Sequence, residues 1–499
     1  MSPEPTQPEP EPISAAGDVL DTNEAGGLVI RGGALRVMGY VVGALLSLGS
    51  APLLIRQLGV DDFGRYFTVV SLIGLVAGVT DVGLATVMLR EFSVRTGPAR
   101  DEMMRGVLGA RLVLATCGVI LAALFALAAG YGSELVVGTL VAGGGLIIGV
   151  AQATFAVPLS AALRNGAVTV IDLGRTAIAV LGTVLLVLAG AHIVAFLAVP
   201  VFAGLVLLVV TVLLVRGSVP MRPSLRSGEL GPLLRETLPL AIATILNVLY
   251  GRLVIIAMSL IATAQATGYF STSYRIIEVL VGMPVALIAT TFPLLSRAAR
   301  DDHERLRFAL QRTLEVALLG GLLLTLGTAL AAGTAIDLLG GDAARPAAGT
   351  LTLLALALTP VFINVACQHT LLALRRHREL VVANGLALVV IACATFALVP
   401  PLGAEGAALA VVIGETALMT ISGIALFRAH PDLRPSLRVV PRAFAASAVG
   451  VLLALAVQGP DVVRAAIALT AYTLVVVALR ALPPELRTAL SARLRPRTA

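Results

Sequence analysis

The stretch IVAFLAVPVFAGLVLLVVTVLLV fills residues 193–215, and Arg216 follows it at once. A helix rises ~1.5 Å per residue, so an uncharged run of this length crosses a hydrocarbon layer ~30 Å thick. Working outward, similar apolar runs recur at roughly 33–55, 66–89, 107–129, 135–157 and 168–190, and then at 237–262, 269–294, 313–333, 348–371, 380–399, 406–427, 441–458 and 461–480. Fourteen spans are therefore expected, in an all-α polytopic membrane protein. The composition agrees: 58% of the 499 residues are hydrophobic and 13% are charged, against about 25% charged in an ordinary soluble chain. This balance excludes a secreted disulfide scaffold, a disordered chain and a soluble enzyme of several domains.

Charge placement tests the layout. The chain has 36 basic residues, all of them Arg, and a net charge of +7. With a cytoplasmic N-terminus, 29 arginines fall on the cytoplasmic side, four (Arg56, Arg65, Arg345, Arg464) on the other, and Arg175, Arg252 and Arg275 inside spans. That asymmetry obeys the positive-inside rule, and one span more or fewer would spoil it. Both termini are expected in the cytoplasm, with the chain in a bacterial cytoplasmic membrane. Clusters of Arg between apolar runs set topology, so no nucleic-acid partner is expected.

The expected organisation is an acidic, Pro-rich disordered tail over 1–30, an N-lobe of six spans over 31–215 and a cytoplasmic linker at 216–236. A C-lobe of six spans follows over 237–430, then two additional spans over 431–480 and a basic tail over 481–499. No basic-then-apolar secretion signal opens the chain. The loops are too short for a nucleotide-binding or external catalytic domain. Phosphate-loop and metal-protease motifs are absent, and Cys117, Cys367 and Cys393 lie scattered in apolar runs, so no cofactor and no metal site are expected. A faint repeat links Gly64-Arg65-Tyr66-Phe67 at the start of span 2 to Gly268-Tyr269-Phe270 at the start of span 8. Six spans separate the two copies, so they would run in the same direction.

Ionisable residues inside spans are expensive, ~2.5–3.5 kcal/mol each on insertion scales, and they face protein or water. Arg252 in span 7 and Arg275 in span 8 belong to one hairpin and would lie at one height, each ~9 Å from the outer face. Arginine suits bidentate contact with phosphate. The pair is therefore a candidate site for a pyrophosphate or an acidic sugar. The other reading of Arg275 is a structural pair with Glu278, three residues on. Tyr250, Tyr274 and Asn247 lie beside these residues. Tyr66, Tyr250, Tyr269 and Tyr274 form either an interfacial belt or a set of rings for sugar stacking. Asp81, late in span 2, is a candidate for gating or coupling, with Arg36 or Arg90 as its partner. Asp172 and Arg175 read as a structural i,i+3 pair. Asn364 and Gln368 read as interhelical hydrogen bonds, His369 as a satisfied interface histidine, and Glu415 as structural. Gly74/Gly78 and Gly145/Gly149 read as close helix contacts.

Several segments resemble one known family. The run Leu58-Gly59-Val60-Asp61-Asp62-Phe63-Gly64-Arg65-Tyr66, with Asp81-Val82-Gly83-Leu84 and Leu89-Arg90-Glu91 closing span 2, resembles the opening of bacterial polysaccharide transporters, the oligosaccharide flippases. Thr267-Gly268-Tyr269-Phe270-Ser271-Thr272-Ser273-Tyr274-Arg275 is similar to their start of span 8. Phe292-Pro293, Ser296-Arg297, Pro401-Leu402-Gly403, Gly406-Ala407-Ala408 and Glu415 continue the likeness in order. It places the chain in the multidrug, oligosaccharidyl-lipid and polysaccharide exporter superfamily. It implies two six-helix lobes around a central cavity lined by spans 1, 2, 7 and 8, working by alternating access. Spans 13 and 14 would be additions, as in lipid II flippases. The implied cargo is a polyprenyl-diphosphate-linked oligosaccharide used for cell-surface polysaccharide. The implied partners are membrane lipids and a glycan polymerase or assembly proteins, around a monomeric transport unit. One departure stands out: the family often has Arg-Ile-Asp in span 7, where this chain has Arg252-Leu253-Val254, so a cation role is not carried over to that position. The alternatives are a multidrug efflux antiporter of the same superfamily and a membrane glycosyltransferase or polymerase. Drug antiporters use carboxylates for cation exchange, whereas the central candidates here are arginines.

Overall fold

The computed structural model describes residues 23–81, 84–162, 164–216, 222–224 and 230–481. Among them it is all helix, and eleven helices are long and apolar enough to cross a membrane. Two of these helices fold back on themselves. The helix Asn23–Asp81 breaks at Gly59 (φ 76°), which separates spans 1 and 2. The helix His377–Ala429 breaks at Gly403 (φ 54°), which separates spans 11 and 12. Glycine tolerates positive φ at no steric cost, and each turn is made by that single residue. The helix Ala264–Asp301, charged through its middle, supplies span 8. With it the passes number fourteen.

Span 2 is continued beyond Asp81 by the helix Leu84–Val94. The remaining passes are span 3 (Gly97–Ala128), span 4 (Ser133–Phe155), span 5 (Asn165–Leu188), span 6 (Ile193–Leu214), span 7 (Leu230–Ile261) and span 9 (His303–Leu330). Span 10 is formed by Ala347–Ala355 and Leu358–Ala373, span 13 is Val439–Ala456 and span 14 is Asp461–Ala478. Spans 1–6 and 7–12 form two six-helix lobes, and spans 13 and 14 pair with each other and lie against span 9.

Three details depart from the linear reading. Helix begins at Asn23, inside the segment read as tail, because Gly26–Ile30 already continue the apolar run of span 1. Residues 1–22, 482–499 and parts of the 216–236 linker lie outside the described residues. A short helix, Ala332–Gly340, stands between spans 9 and 10 on the arginine-poor face, where a loop was expected. Its last carbonyls, on Asp337 and Leu338, accept from the Arg56 guanidinium of span 1 at 3.3 and 2.9 Å.

The two copies of the repeat meet in space. A methyl group on Gly64 would stand 2.7 Å from the Gly268 nitrogen and 2.8 Å from the Ala264 carbonyl oxygen. Spans 2 and 8 therefore cross backbone to backbone at the arginine-poor end, and only hydrogen at both positions permits it. Beneath this seam the largest apolar cluster includes Phe63, Phe67, Phe270, Tyr250 and Met258, and it binds the lobes together.

Candidate functional site

Below the aromatic layer, three charged side chains converge. Arg252 Nη2 lies 3.3 Å from Glu278 Oε1, and Arg275 Nη1 lies 2.8 Å from Glu278 Oε2. One carboxylate thus joins two guanidiniums from neighbouring spans, and the formal charge of the trio is +1. Arg275 also donates to the Ser47 hydroxyl of span 1. Arg252 lies across Gly74 of span 2, where a methyl group would stand 3.3 Å from its Nε. Gly74 makes room for a guanidinium, so one half of the Gly74/Gly78 pair serves the charged cluster. Gly78 packs on Val248, Gly145 packs on the Pro200–Val201 backbone, and Gly149 has open space. Spans 1, 2, 7 and 8 all reach the cluster.

The cluster is deeper than expected. Span 8 starts at Ala264 rather than 269, so Arg275 is eleven residues in, ~16 Å along the axis. Arg252 is nine residues from the end of span 7 at Ile261, ~14 Å. Both lie near mid-membrane, at an even greater penalty for an unpaired charge. The Glu278 bridge offsets that penalty and holds the two forks together.

The tyrosines pack between the lobes and do not form a lipid-facing belt. Tyr274 stacks on Phe270 at 5.5 Å, meets Phe67 edge-on at 6.4 Å and donates to the Gly251 carbonyl at 3.4 Å. Tyr66 is within electrostatic reach of Arg275. Tyr250 is buried and faces Glu415 of span 12. Asn247 is exposed, one turn before Gly251. The structure thus gathers Arg252, Arg275, Glu278, Tyr250 and Tyr274 into one region, with Asn247 at its margin.

A second polar cluster lies inside the N-lobe, and here the expected pairing is corrected. Asp81 accepts from Arg111 Nη2 at 2.6 Å. Arg90 pairs with the adjacent Glu91 at 2.8 Å, nine residues past Asp81 and ~13 Å further along the chain's helical path. The Arg36 side chain lies outside the described residues. Arg111 is 5% exposed and Asp81 42%. Arg111 Nη1 also donates to Thr154 at 3.2 Å. By sequence alone Arg111 is one of the 29 arginines assigned to the cytoplasmic side. The signal that could have placed it correctly is Pro98 at the helix start, which puts Arg111 fourteen residues into span 3.

Arg175 donates to Gln152 of span 4, which itself donates to Thr211 of span 6 at 3.1 Å. The expected Asp172–Arg175 pair is absent because buried Gln152 requires a donor for its carbonyl. His369 Nδ1 bonds the Val365 carbonyl at 2.8 Å and its ring meets Phe292 edge-on, a satisfied interface residue. Asn364 Oδ1 and Gln368 Nε2 are buried and make no hydrogen bond among the described residues, so the interhelical bonds expected of them are not formed by these atoms.

A polar groove of about 470 Å³ opens beside Arg275 and Glu278, between spans 1, 5 and 8. Its walls carry Ser47 on span 1 and Thr169, Asp172 and Thr176 on span 5. A guanidinium pair at this depth with a solvent-accessible groove beside it can receive an anionic headgroup.

A family model described as "Polysaccharide biosynthesis protein" matches residues 53–348. The chain belongs to that family. The matched segment contains the Arg252–Glu278–Arg275 cluster and most of the groove. No curated protein matches the chain. Among solved structures, the fold is similar to the lipid II flippase MurJ in an inward closed conformation, at 13% identity and a TM-score of 0.75, covering 90% of this chain and 99% of that one. It is also similar to a multidrug resistance MATE family transporter of the MOP superfamily, inward-facing, at 16% identity and a TM-score of 0.62, covering 80% and 98%. A third likeness is to a MOP superfamily transporter from Pyrococcus furiosus, described as having a binding pocket of reverse polarity, at 16% identity and a TM-score of 0.56, covering 82% and 96%. These likenesses show a shared fold, and in this chain two six-helix lobes are followed by a further pair of spans.

Proposed function

We propose that this family member is a transporter that moves a polyprenyl-diphosphate-linked oligosaccharide from the inner to the outer leaflet of the bacterial cytoplasmic membrane, for cell-surface polysaccharide biosynthesis. The observation that carries the reading is the convergence of Arg252 and Arg275 on Glu278 at the meeting of the two lobes. Two arginines sharing one acid keep a net positive charge and unused N–H donors, which suits a diphosphate. The family description and the superfamily fold support the same reading. In this scheme both termini are cytoplasmic and the Gly64–Gly268 seam faces outward. The lobes are 31–215 and 237–430, a monomer is the transport unit, and a glycan polymerase or assembly protein receives the product.

The test is mass spectrometry of polyprenyl-linked lipids after depletion in the native cell, with complementation by wild type or by Arg252→Ala/Arg275→Ala. The expected result is build-up of one diphosphate-linked oligosaccharide, relieved by wild type and not by the variant at equal protein level. An unchanged lipid pool with raised sensitivity to cationic drugs would favour efflux instead.

A further inference from the structure

The groove beside the cluster has two unlike walls. One presents Arg275 and Glu278. The other is span 5, where Thr169, Asp172 and Thr176 follow at i, i+3 and i+7 and so share one helix face. Of the eleven helices apolar enough to cross a membrane, span 5 is the least buried, with 6% of its apolar window covered by protein. Asp172 is seven residues into it, ~10 Å from its start at Asn165. The Asp172 side chain makes no ion pair among the described residues and is exposed. A carboxylate at that depth does not face lipid, so it faces the water or cargo of the groove. The opposing floor, on span 1, is kept low by Gly39 and Gly43, against which Thr169 and Thr176 pack. Thr176 donates its hydroxyl proton to the Asp172 carbonyl at 3.2 Å, which leaves its oxygen as an acceptor.

We infer that the Asp172–Thr176 face of span 5 is a binding wall for the hydroxyls of a neutral sugar, distinct from the arginines that hold phosphate. The inference rests on the reading under Proposed function. A carboxylate accepts two hydrogen bonds from a vicinal diol, and the Thr176 hydroxyl oxygen supplies a further acceptor. The same carboxylate repels phosphate and carboxylated sugars, so it selects which end of a sugar diphosphate faces span 5. The sugar ring lies against span 5, the diphosphate lies against spans 7 and 8, and an acidic first sugar is disfavoured.

The experiment uses the full-length protein in nanodiscs and equilibrium binding of farnesyl diphosphate and its glucosyl and galactosyl diphosphate derivatives, whose sugars carry the vicinal hydroxyls required. Hydrogen bonds to a charged group are roughly twice as strong as neutral ones. Wild type is therefore expected to bind at least one glycosylated probe about tenfold more tightly than farnesyl diphosphate. Asp172→Asn and Thr176→Val should erase that preference without weakening farnesyl diphosphate binding, which also shows that each variant is folded. A preference retained in both variants, or no preference in wild type, overturns the sugar wall. If farnesyl diphosphate binding survives Arg252→Ala/Arg275→Ala, the diphosphate reading itself fails, a result separable from the first.

Discussion

Glu278 is the residue whose role is easiest to mistake. It neutralises either arginine alone, which suggests a plain structural pair, yet it is shared by two guanidiniums and leaves a positive remainder. Removing its charge takes a negative group away from an incoming phosphate. At an effective dielectric near 20 and a separation of about 6 Å, such a charge is worth ~3 kcal/mol. Glu278→Gln is expected to raise affinity for a lipid diphosphate by at least about tenfold while lowering thermal stability, because the two guanidiniums lose their bridge. Equilibrium binding and a melting curve on the same sample check it, and an affinity that falls would mean that Glu278 mainly positions the arginines. Asp81 and Arg111 give the opposite asymmetry. Arg111 is buried and Asp81 half exposed, so stripping the acid leaves a buried, uncompensated cation, at ~3–5 kcal/mol. Asp81→Ala should therefore melt lower than Arg111→Met, and the double variant should recover part of the loss. Equal losses in both single variants would argue against this account. Arg252 and Arg275 were legible in the sequence because a charge inside an apolar run is conspicuous. Arg111 was not, because it lies close to the expected start of a run and reads equally well as a loop charge.

Among elements, the crossing of spans 2 and 8 is the most constrained. The two glycines touch through their backbones at the end of the cavity where arginines are scarce. Arg56 ties span 1 to the short helix Ala332–Gly340 on the same face. A side chain at Gly64 has to push the helices apart, at an overpacking cost of ~1–3 kcal/mol. Gly64→Val is thus expected to lower the melting point and to open this end. In a cysteine-free background, Thr272→Cys, buried one turn below Gly268, should react faster with a water-soluble maleimide when Gly64→Val is present. A lower melting point with unchanged labelling would make the seam mere packing. The repeat that places these glycines was readable as two short copies of one motif, but their contact was not, since sequence carries no distance between segments six spans apart. The single-glycine turns at Gly59 and Gly403 were hidden similarly: the charges around Gly59 and the Pro400–Pro401 pair before Gly403 pass for loops, yet the backbone stays helical up to one positive φ. The Asp172 face of span 5 was obscured by Arg175, an apparent i,i+3 partner that turns instead to Gln152.

For the whole molecule, the count of the spans is legible in run length, because a bilayer penalises every alternative. The energetics of transport are also a property of the whole, since they depend on what crosses from one face to the other. A charge crossing the membrane exchanges ~2.3 kcal/mol per 100 mV. A diphosphate with two net charges leaving a negative interior would gain ~4–5 kcal/mol per 100 mV, enough to drive accumulation without a nucleotide. The arginines stay with the protein, so they do not cancel this term over a full cycle, whereas co-transported protons or Na⁺ would. The prediction is that protein reconstituted into liposomes distributes a fluorescent lipid-diphosphate sugar between leaflets according to an imposed potassium-diffusion potential. Inside-negative potential should favour the outer leaflet, reversing the potential should reverse the bias, and Arg252→Ala/Arg275→Ala should slow the approach without changing the endpoint. A distribution indifferent to potential yet responsive to a pH gradient would show that the cargo's charge is compensated by protons, and the cavity would then work as an exchanger.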